Sequence, residues 1–200
     1  MSAWDPYNVT EDADLGMRLA HFGYRTAVIA STTYEEAPVR LGPWLRQRTR
    51  WFKGWMQTWL VHMRAPRRLA SDLEGLSGFA VFQLVVGGTV LAALIHAVFA
   101  AQLAIGFVTV SVDDERARLF LGIYATMLML GYGASATIGV IGLSRRRLLG
   151  CAWALLLMPV YWLLLSLAAW RALFQLVRAP YLWEKTEHGL ARTSRLARRI

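Results

Sequence analysis

Two hundred residues that are 56% hydrophobic, with nine tryptophans and a positive mean hydropathy of +0.37, exclude an ordinary soluble domain. The formal charge of +9 does not imply a nucleic-acid partner, because the basic residues cluster beside long apolar runs, as the positive-inside rule accounts for. A single cysteine, Cys151 inside an apolar run, excludes an intrachain disulfide and a cysteine-based zinc site.

No signal peptide is visible in the polar N-terminal stretch. Asp5, Pro6 and Asn8 predict a loop, and Thr10 is an acceptable N-cap for a helix whose first turn is crowded with Glu11, Asp12 and Asp14. Leu15, Leu19 and Phe22 give that helix a buried face, and Gly23 is its expected stop. Residues 24–32, with Val28, Ile29 and Thr32, then fit a short buried strand, followed by a loop over 33–38. A helix followed by a strand is the end of an α/β domain, which makes residues 1–43 its C-terminal edge. A single strand cannot close a sheet, so the expectation is a fragment, or a chain whose domain another polypeptide completes.

Residues 44–60 predict an amphipathic helix within a region spanning 44–74. At ~100° per residue, Leu45, Phe52, Trp55, Met56, Trp59 and Leu60 form one stripe, Gln47, Arg50 and Gly54 lie opposite, and Trp51 falls at the boundary. A stripe rich in Trp suits a helix in the membrane–water interface, with Trp55 and Trp59 as anchors. Arg46, Arg48 and Lys53 are then expected to meet lipid phosphates. The opposite face offers an amide, a fixed cation and an indole within one turn, which suits an anionic, sugar-like ligand.

After the basic patch of Arg64, Arg67 and Arg68, residues 75–177 predict a membrane region of three to four spans. Its runs cover about 75–112, 119–143 and 148–177, the first without a formal charge and the third interrupted by Pro159. As a helix the first run would reach about 57 Å, more than one crossing requires. Residues 178–200 form a basic tail, with Lys185, Arg192, Arg195, Arg198 and Arg199, expected on the cytosolic side. The sum is a mostly α chain: the end of a truncated α/β domain, an interfacial helix, and a transmembrane helical bundle.

Two clusters precede those spans, Thr10-Glu11-Asp12 and Gln47-Arg48-Thr49-Arg50-Trp51. In that order, ahead of membrane helices, they resemble the TED and QxxRW motifs of the membrane-integrated family 2 glycosyltransferases, the group that contains cellulose and hyaluronan synthases. The segment Trp183-Glu184-Lys185-Thr186-Glu187-His188-Gly189 is also similar to one in bacterial members. The resemblance implies a cytosolic, nucleotide-binding α/β domain flanked by membrane helices in the bacterial inner membrane. It implies Asp12 as the general base, taking the acceptor hydroxyl proton during an inverting displacement, with Glu11 in support. It further implies Gln47 and Arg50 on the donor diphosphate and Trp51 beneath the acceptor sugar. The implied partners are a nucleotide sugar, a polysaccharide or lipid-linked acceptor, and membrane lipids.

The same family binds Mg or Mn through a DxD motif that lies upstream of TED, so no metal ligand is assigned here. Asp12-Ala13-Asp14 spells DxD within the TED motif, where the acids are already explained, and Asp14 reads as an ordinary helix N-terminal acid. His21, His62 and His96 show no ligand spacing and read as structural. Glu184, Lys185 and His188 read either as a juxtamembrane interaction site or as a solvated helix end. Two other readings stand beside the enzyme: a non-enzymatic membrane scaffold that binds a partner subunit, and one half of a split glycosyltransferase whose donor-binding half is a separate subunit.

Overall fold

The structure, a computed structural model, describes residues 11–29, 31, 33, 37–73, 75–109 and 114–184, with side chains from Asp14 onward. Every regular element among them is helical. Helix α1 spans Glu11–His21, and Thr10, its expected N-cap, lies outside the described residues. Gly23 does end it: with φ at +74° it lets its own N–H reach Ala20 O at 2.9 Å and the Tyr24 N–H reach Leu19 O at 3.0 Å.

The strand expected over 24–32 is not found among the described residues. Residues 24–29 form no regular element, Val28 is fully exposed and Ile29 is 79% exposed. β-branched residues favour a pleated, half-buried surface, and here no described neighbouring strand supplies one. Phe22, placed on the buried face by its spacing, is also exposed.

Helix α2 spans Leu41–His62, starting three residues before the predicted stretch, with Pro43 tolerated in its first turn. Helix α3, Pro66–Asp72, opens on a proline at its first position, and α4, Leu76–Phe82, follows. A wider π-helical turn, Gln83–Gly87, leads into α5, Gly88–Thr109. Asp114 caps α6, Glu115–Arg145, by accepting from the Ala117 N–H at 3.0 Å. A 3₁₀ segment, Leu149–Leu157, then leads into α7, Met158–Arg178. Pro159 therefore sits where the 3₁₀ segment passes into α7, a change of helix type at which its missing N–H falls.

Three helical stretches are long and apolar enough to cross a membrane: Leu76–Thr109, Glu115–Arg145 and Leu149–Arg178. Outward-facing Phe107, Met129 and Leu156 leave apolar surface that lipid would cover. The hydroxyls of Thr89, Thr109, Thr126 and Thr137 each donate to the carbonyl one turn back, which satisfies them where no water is at hand.

The described chain divides into two compact units. The first takes residues up to Leu91 and those from Ala168 onward, and the second takes Ala92–Leu167. In the first, Leu69, Phe82 and Val86 form a buried cluster flanked by Met17 of α1, Trp55, Trp59 and Met63 from α2 and its end, and Phe79 of α4. The tryptophans expected to anchor in lipid thus pack within the protein. The Trp59 indole N–H donates to Gln83 Oε1 at 2.9 Å, and Gly87 makes room, since a Cβ there would lie 2.9 Å from Trp59 Nε1. In the second unit, Leu155 of the 3₁₀ segment packs on Gly139 of α6. The Tyr132 hydroxyl lies 3.1 Å from His96 Nε2, beside a cavity of about 200 Å³ that Phe99 and Trp162 also line.

Candidate active site

Gln47, Arg50 and Trp51 occupy adjoining turns of α2 at i, i+3 and i+4 spacing, so the helix alone brings them together. The Arg50 guanidinium carbon sits 4.4 Å from the centroid of the Trp183 ring, and its Nε is sealed from solvent without a hydrogen-bond partner. A ring over a guanidinium accepts no conventional hydrogen bond, so this contact leaves N–H donors of Arg50 that an anion could take. Trp51 is 38% exposed, and the Arg48 guanidinium lies over its ring at 4.2 Å. Arg48 also lies 5.8 Å from the Trp44 ring centroid, which places it among indoles at this end of α2.

Lys53, three residues beyond Arg50, is fully buried and not at a lipid surface. Its ammonium donates to Leu182 O at 2.6 Å and reaches Ala179 O at 3.5 Å. The physical reason is the turn that follows α7, where the Leu182 N–H bonds Ala179 O at 3.1 Å and both backbone carbonyls lie within reach of the ammonium. Burial pushes the Lys53 amine below its ordinary value, and the charge of Glu184 opposes that shift. One further turn along α2, the Gln57 amide donates to Pro180 O at 3.1 Å. Arg50, Lys53 and Gln57 thus form one stripe that holds residues 179–184 against the helix.

The far end of that segment is clamped as well. Arg171 of α7 makes a two-pronged ion pair with Glu184, at 2.6 and 2.5 Å, and the Gln175 amide donates to the same carboxylate at 3.1 Å. The Arg171 hydrogen bonds hold the Glu184 carboxyl below its usual range, outweighing its burial. Glu184 is therefore neither a solvated helix end nor free for a partner; Lys185 and His188 lie outside the described residues.

Glu11 and Asp12 open α1, and their side chains lie outside the described residues. Asp14, one turn on, is buried and has more to do than face a helix dipole. Its carboxylate bonds His62 Nε2 at 3.0 Å and Arg18 Nε at 2.6 Å, joining α1 to the last turn of α2. Burial would raise its pKa, but the His62 bond and the Arg18 charge together hold it below the usual carboxylate value. His21 pairs with Asp72 and its ring lies 5.8 Å from that of His62, so α1 is tied to α3 too. His62 lies about 18 Å along α2 from Arg50 at ~1.5 Å per residue, so Asp14 is a docking residue rather than a neighbour of Arg50.

Among the described residues, no three His, Cys, Asp or Glu side chains converge as a metal site. The sequence reading left Lys53 at a lipid surface and gave Trp183 no role beyond the segment it opens, while His62 is structural as its lack of ligand spacing predicts. An i, i+3 spacing from Arg50 alone does not tell a buried ammonium from an exposed one.

No curated protein and no solved structure matches the chain. A family model described as glycosyl transferase family group 2 matches residues 1–183, which covers α1, α2 and all three apolar stretches. The chain therefore belongs to the family 2 glycosyltransferases, a family whose reaction class is sugar transfer.

Proposed function

We propose that this chain carries the acceptor-side part of an inverting, cellulose or hyaluronan synthase-like glycosyltransferase at the bacterial inner membrane, with its catalytic portion cytosolic. Asp12 accepts the proton of an acceptor hydroxyl, and the oxygen attacks the anomeric carbon of a nucleotide sugar. The bond from that carbon to the diphosphate oxygen breaks, and the nucleoside diphosphate leaves with the electron pair. Arg50, with Gln47, neutralises the charge growing on that leaving group, and Trp51 stacks beneath the acceptor, a polysaccharide or a lipid-linked glycan. Glu11 supports Asp12. Mg or Mn, expected for the complete enzyme, has no ligand set among the described residues, and no step is assigned to it.

The observation that carries this reading is Arg50: a guanidinium with a buried Nε that has no hydrogen-bond partner, at i+3 from Gln47 and beside Trp51 on α2. A buried donor without a partner is destabilising unless something fills it, and a diphosphate oxygen has the right charge and geometry. The test is Asp12→Asn in the full-length protein in membranes. Sugar transfer should be lost while donor binding remains; retained turnover would remove Asp12 as the base.

A further inference from the structure

We infer that Trp183 is a positioning residue for sugar transfer: its ring orients the Arg50 guanidinium so that the edge N–H groups face the donor diphosphate. The inference rests on the assignment of Arg50 to the diphosphate. Four observations converge on it. The Arg50 guanidinium carbon lies over the Trp183 ring at 4.4 Å from its centroid, a cation–π contact that holds a guanidinium without a hydrogen-bond acceptor. Trp183 is fixed on both sides, by the Lys53 ammonium on the carbonyl of Leu182 before it and by the Arg171 and Gln175 clamp on Glu184 after it. The Gln57 amide on Pro180 O holds the start of the same segment. Finally, no hydrogen bond or ion pair to a described residue competes with the indole for the Arg50 guanidinium.

An unrestrained arginine would have to surrender rotamer freedom each time it bound a phosphate. With the indole in place that freedom is already gone, and the loss appears as tighter diphosphate binding rather than as a change in the chemical step. Trp183 touches neither the sugar nor the reacting atoms in this scheme.

The experiment uses full-length protein in lipid nanodiscs, with UDP and GDP as probes and the tighter of the two carried forward. Trp183→Leu should weaken diphosphate binding by on the order of tenfold, as loss of a partly desolvated cation–π contact implies. Binding of the corresponding monophosphate should be little changed, and Trp183→Phe should stay close to wild type. In an Arg50→Lys background, which loses the flat guanidinium, Trp183→Leu should add nothing. Should Trp183→Leu not fold, Trp183→Met against Trp183→Phe makes the same comparison.

Unchanged diphosphate affinity in Trp183→Leu overturns the inference, as does an equal loss of monophosphate binding or an undiminished effect in the Arg50→Lys background. Arg50→Lys with wild-type affinity overturns the diphosphate assignment and this inference together. A loss in Arg50→Lys with none in Trp183→Leu removes the inference alone. Failure of both nucleotides to bind the wild-type protein removes the diphosphate site, and the role of Trp183 with it.

Discussion

Asp14 Oδ1 and His62 Nε2 lie 3.0 Å apart, and both side chains are almost sealed from solvent, at 3% and 6% exposure. This contact joins the helix that opens with Glu11 and Asp12 to the helix that carries Gln47, Arg50 and Trp51. Because the pair is buried, losing His62 leaves the Asp14 carboxylate to Arg18 alone, and losing Asp14 takes away the acceptor facing the imidazole.

His62→Ala should therefore lower stability by about 2 kcal/mol, the range for a lost hydrogen bond to a charged group. His62→Gln, which keeps a donor of similar reach, should recover part of that loss. Thermal unfolding of the detergent-solubilised protein checks the order wild type, Gln, Ala. If Ala and Gln behave alike, the hydrogen bond is not what holds α1.

Acid should loosen the segment on α2. The Glu184 carboxyl is held below its ordinary value of 4.5 in the folded protein, so the unfolded chain binds its proton more readily. Its contribution to stability is full above about pH 4.5 and is lost as pH falls through the lower folded value. Asp14 acts with the same sign, from its ordinary value of 3.8 downward. Glu184→Gln should flatten the upper part of this acid limb, measured as the unfolding midpoint from about pH 6 to about pH 3. An unaltered acid limb in Glu184→Gln would count against the clamp.

Gly87→Ala should disturb the join between α2 and the first membrane stretch. A methyl there would lie 2.9 Å from Trp59 Nε1 and 3.3 Å from Trp59 Cδ1, so the indole must shift and its bond to Gln83 weaken. The expected loss is about 1–2 kcal/mol, from overpacking together with the lost hydrogen bond. Trp59→Phe, which removes the N–H but keeps an aromatic ring, should cost less. Equal unfolding midpoints for Gly87→Ala and wild type would show that Trp59 does not approach this glycine.

What could be read from the sequence was the local part. Helix α1 and its stop at Gly23 follow from the acid-rich first turn and a glycine able to adopt positive φ, both short-range effects. The grouping of Gln47, Arg50 and Trp51 follows from helical spacing alone. The 24–32 strand was misread because β-branched residues signal a strand only where a sheet receives them, and the described residues contain none. Lys53 was misread because a cation on an amphipathic helix looks the same whether it meets lipid phosphate or carbonyls 129 residues away. Asp14 failed likewise: its partner, His62, is 48 residues distant. Gln83 was the missed clue for Trp59, since an amide in an uncharged apolar run requires a polar neighbour.

The contact between Lys53 and Leu182 also orders events during biosynthesis. The two residues are 129 positions apart, with all three apolar stretches between them. As the nascent chain leaves the ribosome, the ammonium has no native acceptor until α7 has been made and inserted. The contacts of Lys53 are thus completed only once residue 182 has been made, so a chain cut short before it would reach the membrane with these three apolar stretches in place and a buried ammonium lacking its carbonyl.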